Sequence, residues 1–240
     1  MPDYKVVRLA ATLLFLGLVV FELVAVLHAA GANDHQVAFT NYAASGDWTA
    51  VHLAQFVCLA VLIAGLLVLF FAFNVPHGAQ RWVGFFGAVS ASVALALTGV
   101  VFAVDGVALK QAVDAWASAP AAEKATRFAS AEAIRWLEWG VRSYQDLMLG
   151  LALVLYAIVI VWTASPVPRL VGYLMGAAGL AFFVLGWFIG IQGFAPMGEV
   201  PSDAAQFLLF VSSAWLLVVA WRRKKSGKGA LAGHPRTPAS

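Results

Sequence analysis

Long apolar runs, separated by short polar stretches, dominate the chain from end to end. Six of the runs approach or exceed the roughly 20 residues that a helix needs to cross a bilayer. They cover residues 6–29, 49–73, 82–104, 141–162, 170–191 and 204–221. The pattern predicts an all-α, polytopic membrane protein, a bundle of six transmembrane helices in a single membrane-embedded domain (residues 1–221).

A segment of mixed character, residues 106–140, separates the third span from the fourth. It alternates Ala, Trp and Val with charged residues, and Pro120 interrupts it. This composition is typical of one or two amphipathic helices that lie at a membrane interface. We expect the second of them to begin near Ala121 and to run directly into the fourth span.

Composition agrees with a membrane protein. The chain is 62% hydrophobic and 11% charged, whereas soluble domains are about 45–50% apolar and about 25% charged. The spans occupy most of the 240 residues, so little length is left for a separate soluble domain.

The tail, residues 222–240, begins with four consecutive basic residues and continues with many Gly, Pro and Ser residues. This composition predicts a disordered tail. A basic cluster directly after a span is typical of an anchor at anionic lipid headgroups. The lipid bilayer is therefore the predicted partner of the cluster, and no nucleic acid is predicted.

The distribution of positive charge predicts the orientation. With both termini in the cytoplasm, ten of the 15 Lys and Arg residues lie inside, and Asp3 is the one acid there. The inside residues are Lys5, Arg8, Arg81, Arg169, Arg222, Arg223, Lys224, Lys225, Lys228 and Arg236. Following the positive-inside rule, we predict a multi-pass membrane protein with both termini cytoplasmic.

The fourth span carries charge into its outer half. Its apolar part, residues 147–162, reaches only about 24 Å, which is short of the ~30 Å hydrocarbon core. Charged residues recur before it at spacings of three or four, so that they share one helix face. They are Glu132, Arg135, Glu138, Arg142 and Asp146. This stripe either lines a vestibule that opens outward or is structural. In the structural case, Arg142 pairs with Asp146 and Glu138 along the same helix.

Polar residues of other spans fall at the same outer depth, while the inner half is almost free of charge. This arrangement predicts a pocket in the outer half, closed from below by apolar helices. The candidate pocket residues are His52, Gln55, Asp105, Glu138, Arg142, Asp146 and Gln192.

Glu22 lies about two-thirds of the way across the first span and is a candidate proton site. A carboxylate at that depth must pair, accept hydrogen bonds or be protonated; a structural or pocket-lining role is the alternative.

Three histidines, His28, His35 and His52, are candidate metal ligands with Asp34, Asp47 or Asp105. No metal-binding motif supports this set, and each histidine also suits a polar position at the interface. Apart from this metal, no cofactor is predicted.

The six-span plan, the arginines that begin the third and fifth spans and the Asp105-Gly106 turn before an Ala- and Trp-rich loop form a recognisable combination. It resembles bacterial membrane proteins of the domain-of-unknown-function 4386 type, over roughly residues 6–221. The resemblance implies a six-helix protein of the bacterial inner (plasma) membrane and supplies no catalytic residues.

Three functions fit these patterns. The first is a binding or accessory protein whose outer pocket engages a lipid, a small ligand or a partner membrane protein. The second is a membrane-embedded enzyme that acts on a lipid-like substrate with the acid, His and Arg cluster. The third is a small proton-coupled secondary transporter that uses Glu22.

Overall fold

The computed structural model describes residues 4–28, 33–73, 78–163 and 167–222, and within them the chain forms helices and no strands. The α-helices are α1 (Tyr4–Ala25), α2 (His35–Ala44), α3 (Trp48–Phe73), α4 (Ala79–Ala103), α5 (Lys110–Ala117), α6 (Lys124–Trp162), α7 (Arg169–Gln192) and α8 (Glu199–Arg222). The predicted disordered tail beyond Arg222 lies outside the described residues.

Six of these helices are long and apolar enough to cross a membrane, which confirms the six predicted spans. The first span is shorter than predicted, because α1 ends at Ala25 and not at residue 29. Two short-range hydrogen bonds follow it, from the Leu27 amide to Val24 and from the His28 amide to Ala25. Such bonds tighten a helix end into a turn.

The six long helices form a closed ring. Around it, α1 packs against α3, α3 against α4, α4 against α6, α6 against α7, α7 against α8, and α8 against α1. The Arg8 side chain donates to the Ala220 carbonyl oxygen (3.0 Å) and lies over the ring of Trp221. The start of α1 and the end of α8 therefore lie at the same end of the bundle, which we call the terminal end.

Two helices extend far beyond the other, opposite end. A π-helical turn, Val104–Leu109, joins α4 to α5, so that one helix runs from Ala79 to Ala117. That helix and α6 have 39 residues each, or about 58 Å, against a hydrocarbon core of ~30 Å. The turn expected at Asp105-Gly106 was wrong, because the helix continues through these two residues. The predicted continuity of the fourth span with its preceding helix is confirmed, from Lys124 onward.

The projecting parts build a small structure of their own, which we call the cap: α2, α5 and the first half of α6. Its members share a buried cluster separate from the core of the bundle. The cluster contains Ala38, Phe39, Tyr42, Trp48, Leu109, Val113, Trp116 and Ala131. The amphipathic segment between spans three and four thus buries its apolar face within the protein, against α2. We call this end of the bundle the cap end.

A row of small residues brings α6 and α7 into backbone contact. A Cβ atom added to Gly150 would lie 2.6 Å from the Gly179 carbonyl oxygen, and one added to Gly179 would lie 2.7 Å from that of Gly150. The close contact extends from Gly172, beside Ala157, to Gly190, beside Ser143. Small residues permit this approach between membrane helices. We call this contact the α6–α7 seam.

Candidate functional site

The π-helical turn brings the α4–α5 helix against the start of α3 at the cap end. The Trp48 indole N–H donates to the Asp105 carbonyl oxygen (3.0 Å), and the Thr49 hydroxyl donates to that of Gly106 (2.7 Å). A Cβ atom on Gly106 would lie 2.5 Å from Cβ of His52. Glycine is therefore what allows this close approach. Single π-turns inside α-helices are frequent at functional sites.

His52 is 1% exposed and points at the π-helical turn. Its Nδ1 lies 2.7 Å from the Trp48 carbonyl oxygen. Because a carbonyl oxygen only accepts, Nδ1 must carry a hydrogen, so Nε2 carries a lone pair whenever the ring is neutral. That Nε2 lies 2.9 Å from Asp105 Oδ2 and 3.2 Å from His28 Nε2.

The structure thus unites His28, His52 and Asp105, whose ligand-type atoms lie within 4.8 Å of one another. We call them the His-Asp cluster. His35, the third histidine of the predicted metal set, does not join it. Its Nδ1 lies 2.9 Å from Glu132 Oε1, and its ring packs against aromatic rings of α2 and α6. His35 lies on α2 and His52 on α3, and their spacing in the sequence did not show that they would be separated.

A second polar group lies inside the cap. Arg135 Nη1 donates to the Tyr42 hydroxyl (2.7 Å) and to Glu138 Oε2 (3.3 Å). The guanidinium also lies over the rings of Tyr42, Trp139 and Phe194. Desolvation of the phenolate raises the pKa of Tyr42 well above its usual range, so the residue is a neutral phenol. Arg135 belongs to the charged stripe predicted from the sequence, but nothing in the sequence marked Tyr42 as its partner.

Arg142 and Asp146 form an ion pair one turn apart on α6, with Nε 3.1 Å from Oδ2. Asp146 is fully buried, while a quarter of the Arg142 side chain is exposed. The expected pairing of Arg142 with Asp146 along the helix is seen for Oδ2, whereas Asp146 Oδ1 is buried with no hydrogen-bond partner among the described residues. The same expectation for Glu138 is not met by a direct hydrogen bond, because the carboxylate bonds to Arg135 instead.

A cavity of about 150 Å³ lies between the cap ends of α6, α7 and α8. Its wall includes Arg142, Leu185, Ile189, Phe194, Glu199 and Ser202. Arg142 is the basic residue of this wall and Glu199 the acidic one. Most of the remaining lining is apolar.

The predicted pocket residues are divided between these places. Arg142 lines the cavity, and His52 and Asp105 belong to the His-Asp cluster. Glu138 and Asp146 are buried in ion pairs on α6, and Gln55 is buried on α3 close to His52. The side chain of Gln192 is exposed at the end of α7, and its carbonyl oxygen accepts a hydrogen bond from Asn33 (3.4 Å).

Glu22 lies in the last turn of α1, closer to the helix end than predicted. Within the ranges that the structure describes, its Oε1 is buried and accepts no hydrogen bond. The expected pairing is not seen for this oxygen, and Glu22 stays a candidate proton site.

Comparison with known proteins finds no match among family models, curated proteins or solved structures. The resemblance to the domain-of-unknown-function 4386 type stays a prediction.

Proposed function

We propose that the protein is a binding protein of the bacterial inner membrane whose cavity beside Arg142 holds an anionic group. The cap end faces outward, and both termini are cytoplasmic. The ligand is the headgroup of a lipid or a small soluble molecule of the same chemistry. This function rests above all on one observation, the position of Arg142 in the cavity wall.

The guanidinium of Arg142 is fixed and still has donors to offer. Asp146 accepts from Nε, and in the described part of the chain neither Nη group has a hydrogen-bond partner. Two N–H donors in one plane match the oxygen atoms of a carboxylate or phosphate. Because the side chain is partly exposed and lines the cavity, these donors are available to a ligand there.

The rest of the wall narrows the ligand class. Glu199 favours a ligand that also carries a positive group, and Leu185, Ile189 and Phe194 favour some apolar surface. At about 30 Å³ per water molecule, the cavity has room for about five waters. This suits a zwitterionic headgroup such as phosphoethanolamine, or an amino acid, but not a whole acyl chain.

The charge distribution supports the orientation. Lys5, Arg8, Arg81, Arg169 and Arg222 lie near the terminal end, and five more basic residues follow α8 in the sequence. The other five of the 15 Lys and Arg residues lie at the cap end. The cap and the loops beside it contain most of the acids, including Asp34, Asp47, Asp114, Glu123 and Glu132. Positive charge is enriched on the cytoplasmic side of membrane proteins, so the terminal end is assigned to the cytoplasm.

The alternatives receive less support. An enzyme that used the acid, His and Arg groups together would bring them to one cavity. Instead, Arg142 lines the described cavity, while His52 and Asp105 lie in the His-Asp cluster. A transporter needs a polar path through the bundle. Buried hydroxyls there, such as those of Ser90, Thr98 and Ser212, bond to carbonyl groups of their own helices.

The test compares wild type with Arg142→Gln by native mass spectrometry of protein in nanodiscs. One arm supplies phosphatidylethanolamine as a minor lipid in phosphatidylcholine, and the other supplies soluble glycerophosphoethanolamine. We expect wild type to retain one phosphoethanolamine-containing molecule and Arg142→Gln to bind it at least about tenfold more weakly, or ~1.4 kcal/mol. Binding in the lipid arm alone identifies a lipid as the ligand. Binding in both arms shows that the headgroup is sufficient for binding.

Arg127→Gln is the matched control, because Arg127 forms an exposed pair with Glu123 on the same helix. Arg142→Lys keeps the charge without the planar donors and should bind at an intermediate level. Thermal unfolding identifies any variant that fails to fold. Absence of binding to wild type in both arms, or equal binding by the Arg142→Gln and Arg127→Gln variants, would contradict the proposal.

A further inference from the structure

When its ring is neutral, the Nε2 atom of His52 has one lone pair and two close polar neighbours. Asp105 Oδ2 lies at 2.9 Å and His28 Nε2 at 3.2 Å, while the ring hydrogen is held on Nδ1 by the Trp48 carbonyl oxygen. A lone pair facing a carboxylate oxygen is repulsive unless a positive charge lies between them. A single proton on Nε2 can form a hydrogen bond in only one of the two contacts. A metal ion placed between the three atoms can be coordinated by all of them.

We propose that His28, His52 and Asp105 bind one divalent transition-metal ion of the zinc class. The site lies at the cap end, where the end of α1, the start of α3 and the π-helical turn meet. The inference does not depend on the proposed ligand at Arg142, because its residues are different from those that line the cavity.

The distances fit such an ion. With Zn–N and Zn–O bonds of about 2.0–2.1 Å, the ligand atoms of a tetrahedron lie about 3.3 Å apart. The two contacts of His52 Nε2, 2.9 and 3.2 Å, are near this value. All three ligand atoms lie within 4.8 Å of one another. Where a pair is more widely spaced, His28 can close the gap, because it lies in the turn after α1 and is partly exposed.

The surroundings already have the form of a metal site's outer shell. Metal-binding histidines usually donate their second ring N–H to a carboxylate or backbone carbonyl, which fixes the tautomer; the Trp48 carbonyl oxygen does this for His52. The Trp48 indole and the Thr49 hydroxyl hold the backbone of the π-helical turn that carries Asp105. The second oxygen of Asp105, Oδ1, is buried and has no hydrogen-bond partner among the described residues.

The donor set selects the class of metal. Two imidazole nitrogens with a carboxylate suit Zn²⁺, Co²⁺ or Cu²⁺, whereas Mg²⁺ and Ca²⁺ prefer oxygen ligands alone. Three protein ligands leave one tetrahedral position for water or another small ligand.

The experiment titrates the metal-free, full-length protein in mild detergent with Zn²⁺ and, as a spectroscopic probe, with Co²⁺. We expect one Zn²⁺ per chain, a Zn²⁺-dependent rise in the unfolding temperature, and the visible absorption of tetrahedral Co²⁺. His28→Gln and Asp105→Asn should each weaken Zn²⁺ binding at least about tenfold and remove the tetrahedral Co²⁺ spectrum. The first of these changes a partly exposed turn residue, so its fold should be retained.

Two controls separate this site from the others. His35→Gln removes a histidine that pairs with Glu132 outside the cluster, and Arg142→Gln removes the proposed anion site. Both should bind Zn²⁺ as wild type does. A protein that binds no stoichiometric Zn²⁺, or one whose Zn²⁺ affinity is unchanged in His28→Gln and Asp105→Asn, would show that hydrogen bonds alone hold the cluster together.

Discussion

Replacing Arg135 with Ala is expected to lower the free energy of unfolding by about 3–5 kcal/mol, the usual result of removing one partner of a buried ion pair. Arg135 and Glu138 are 1% and 3% exposed. Without the guanidinium, the buried Glu138 must either keep an uncompensated charge or take up a proton, and the Tyr42 hydroxyl loses its donor. The measurement is unfolding of the purified protein in mild detergent, followed by circular dichroism.

The matched control for this prediction is Arg127→Ala. Arg127 lies on the same helix and pairs with Glu123, but the two side chains are 52% and 54% exposed. Exposed pairs contribute about 0–1 kcal/mol, so the control should unfold nearly as wild type does. The double variant Arg135→Leu/Glu138→Leu removes both charges and should regain much of the lost stability. If Arg135→Ala matches Arg127→Ala, the buried pair is not essential to the cap.

Replacing Gly150 with Ala is expected to destabilise the protein by about 2–3 kcal/mol through overpacking. The new Cβ atom would lie 2.6 Å from the Gly179 carbonyl oxygen and 3.1 Å from the Phe183 amide nitrogen. Both are backbone atoms of α7, so no side-chain rotation relieves the overlap. The two helices must separate, which loosens the α6–α7 seam. Thermal unfolding in detergent measures the effect.

Gly140 provides the control on the same helix, since a Cβ atom there would meet nothing within 4 Å. Inside a helix with free space around it, Ala stabilises the folded state by roughly 0.5–1 kcal/mol relative to Gly. Gly140→Ala should therefore be neutral or stabilising. The two substitutions are chemically identical, but only Gly150→Ala should lower the unfolding temperature. Equal unfolding temperatures would mean that α6 and α7 do not pack as closely as the structure shows.

Much of the fold was predictable from the sequence because burial in lipid imposes length and apolarity on each span. The six spans, the continuity of α6 and the Arg142–Asp146 pair follow from run length and from spacings of three or four on one helix. These features are local, and local periodicity is what a sequence displays directly.

The continuity of α4 with α5 was not predictable in this way. A π-helical turn shifts the helix register without breaking the helix, so the apolar pattern is interrupted where the backbone is not. The polar pair Asp105-Gly106 therefore indicated a turn. In the structure, the carbonyl oxygens of that pair bond to Trp48 and Thr49 on α3, and these tertiary contacts help to hold the π-helical turn in place.

The sequence by itself determined the class of the protein, the number of its spans and the end of the bundle at which its polar residues lie. Only the tertiary structure decided how those residues divide: His28 and His52 with Asp105, His35 with Glu132, and Arg135 with Tyr42. Each set joins residues from different helices across 24 to 97 positions of the chain. The reason is physical: spacing along a helix selects its polar face, but helix packing selects the partner of that face.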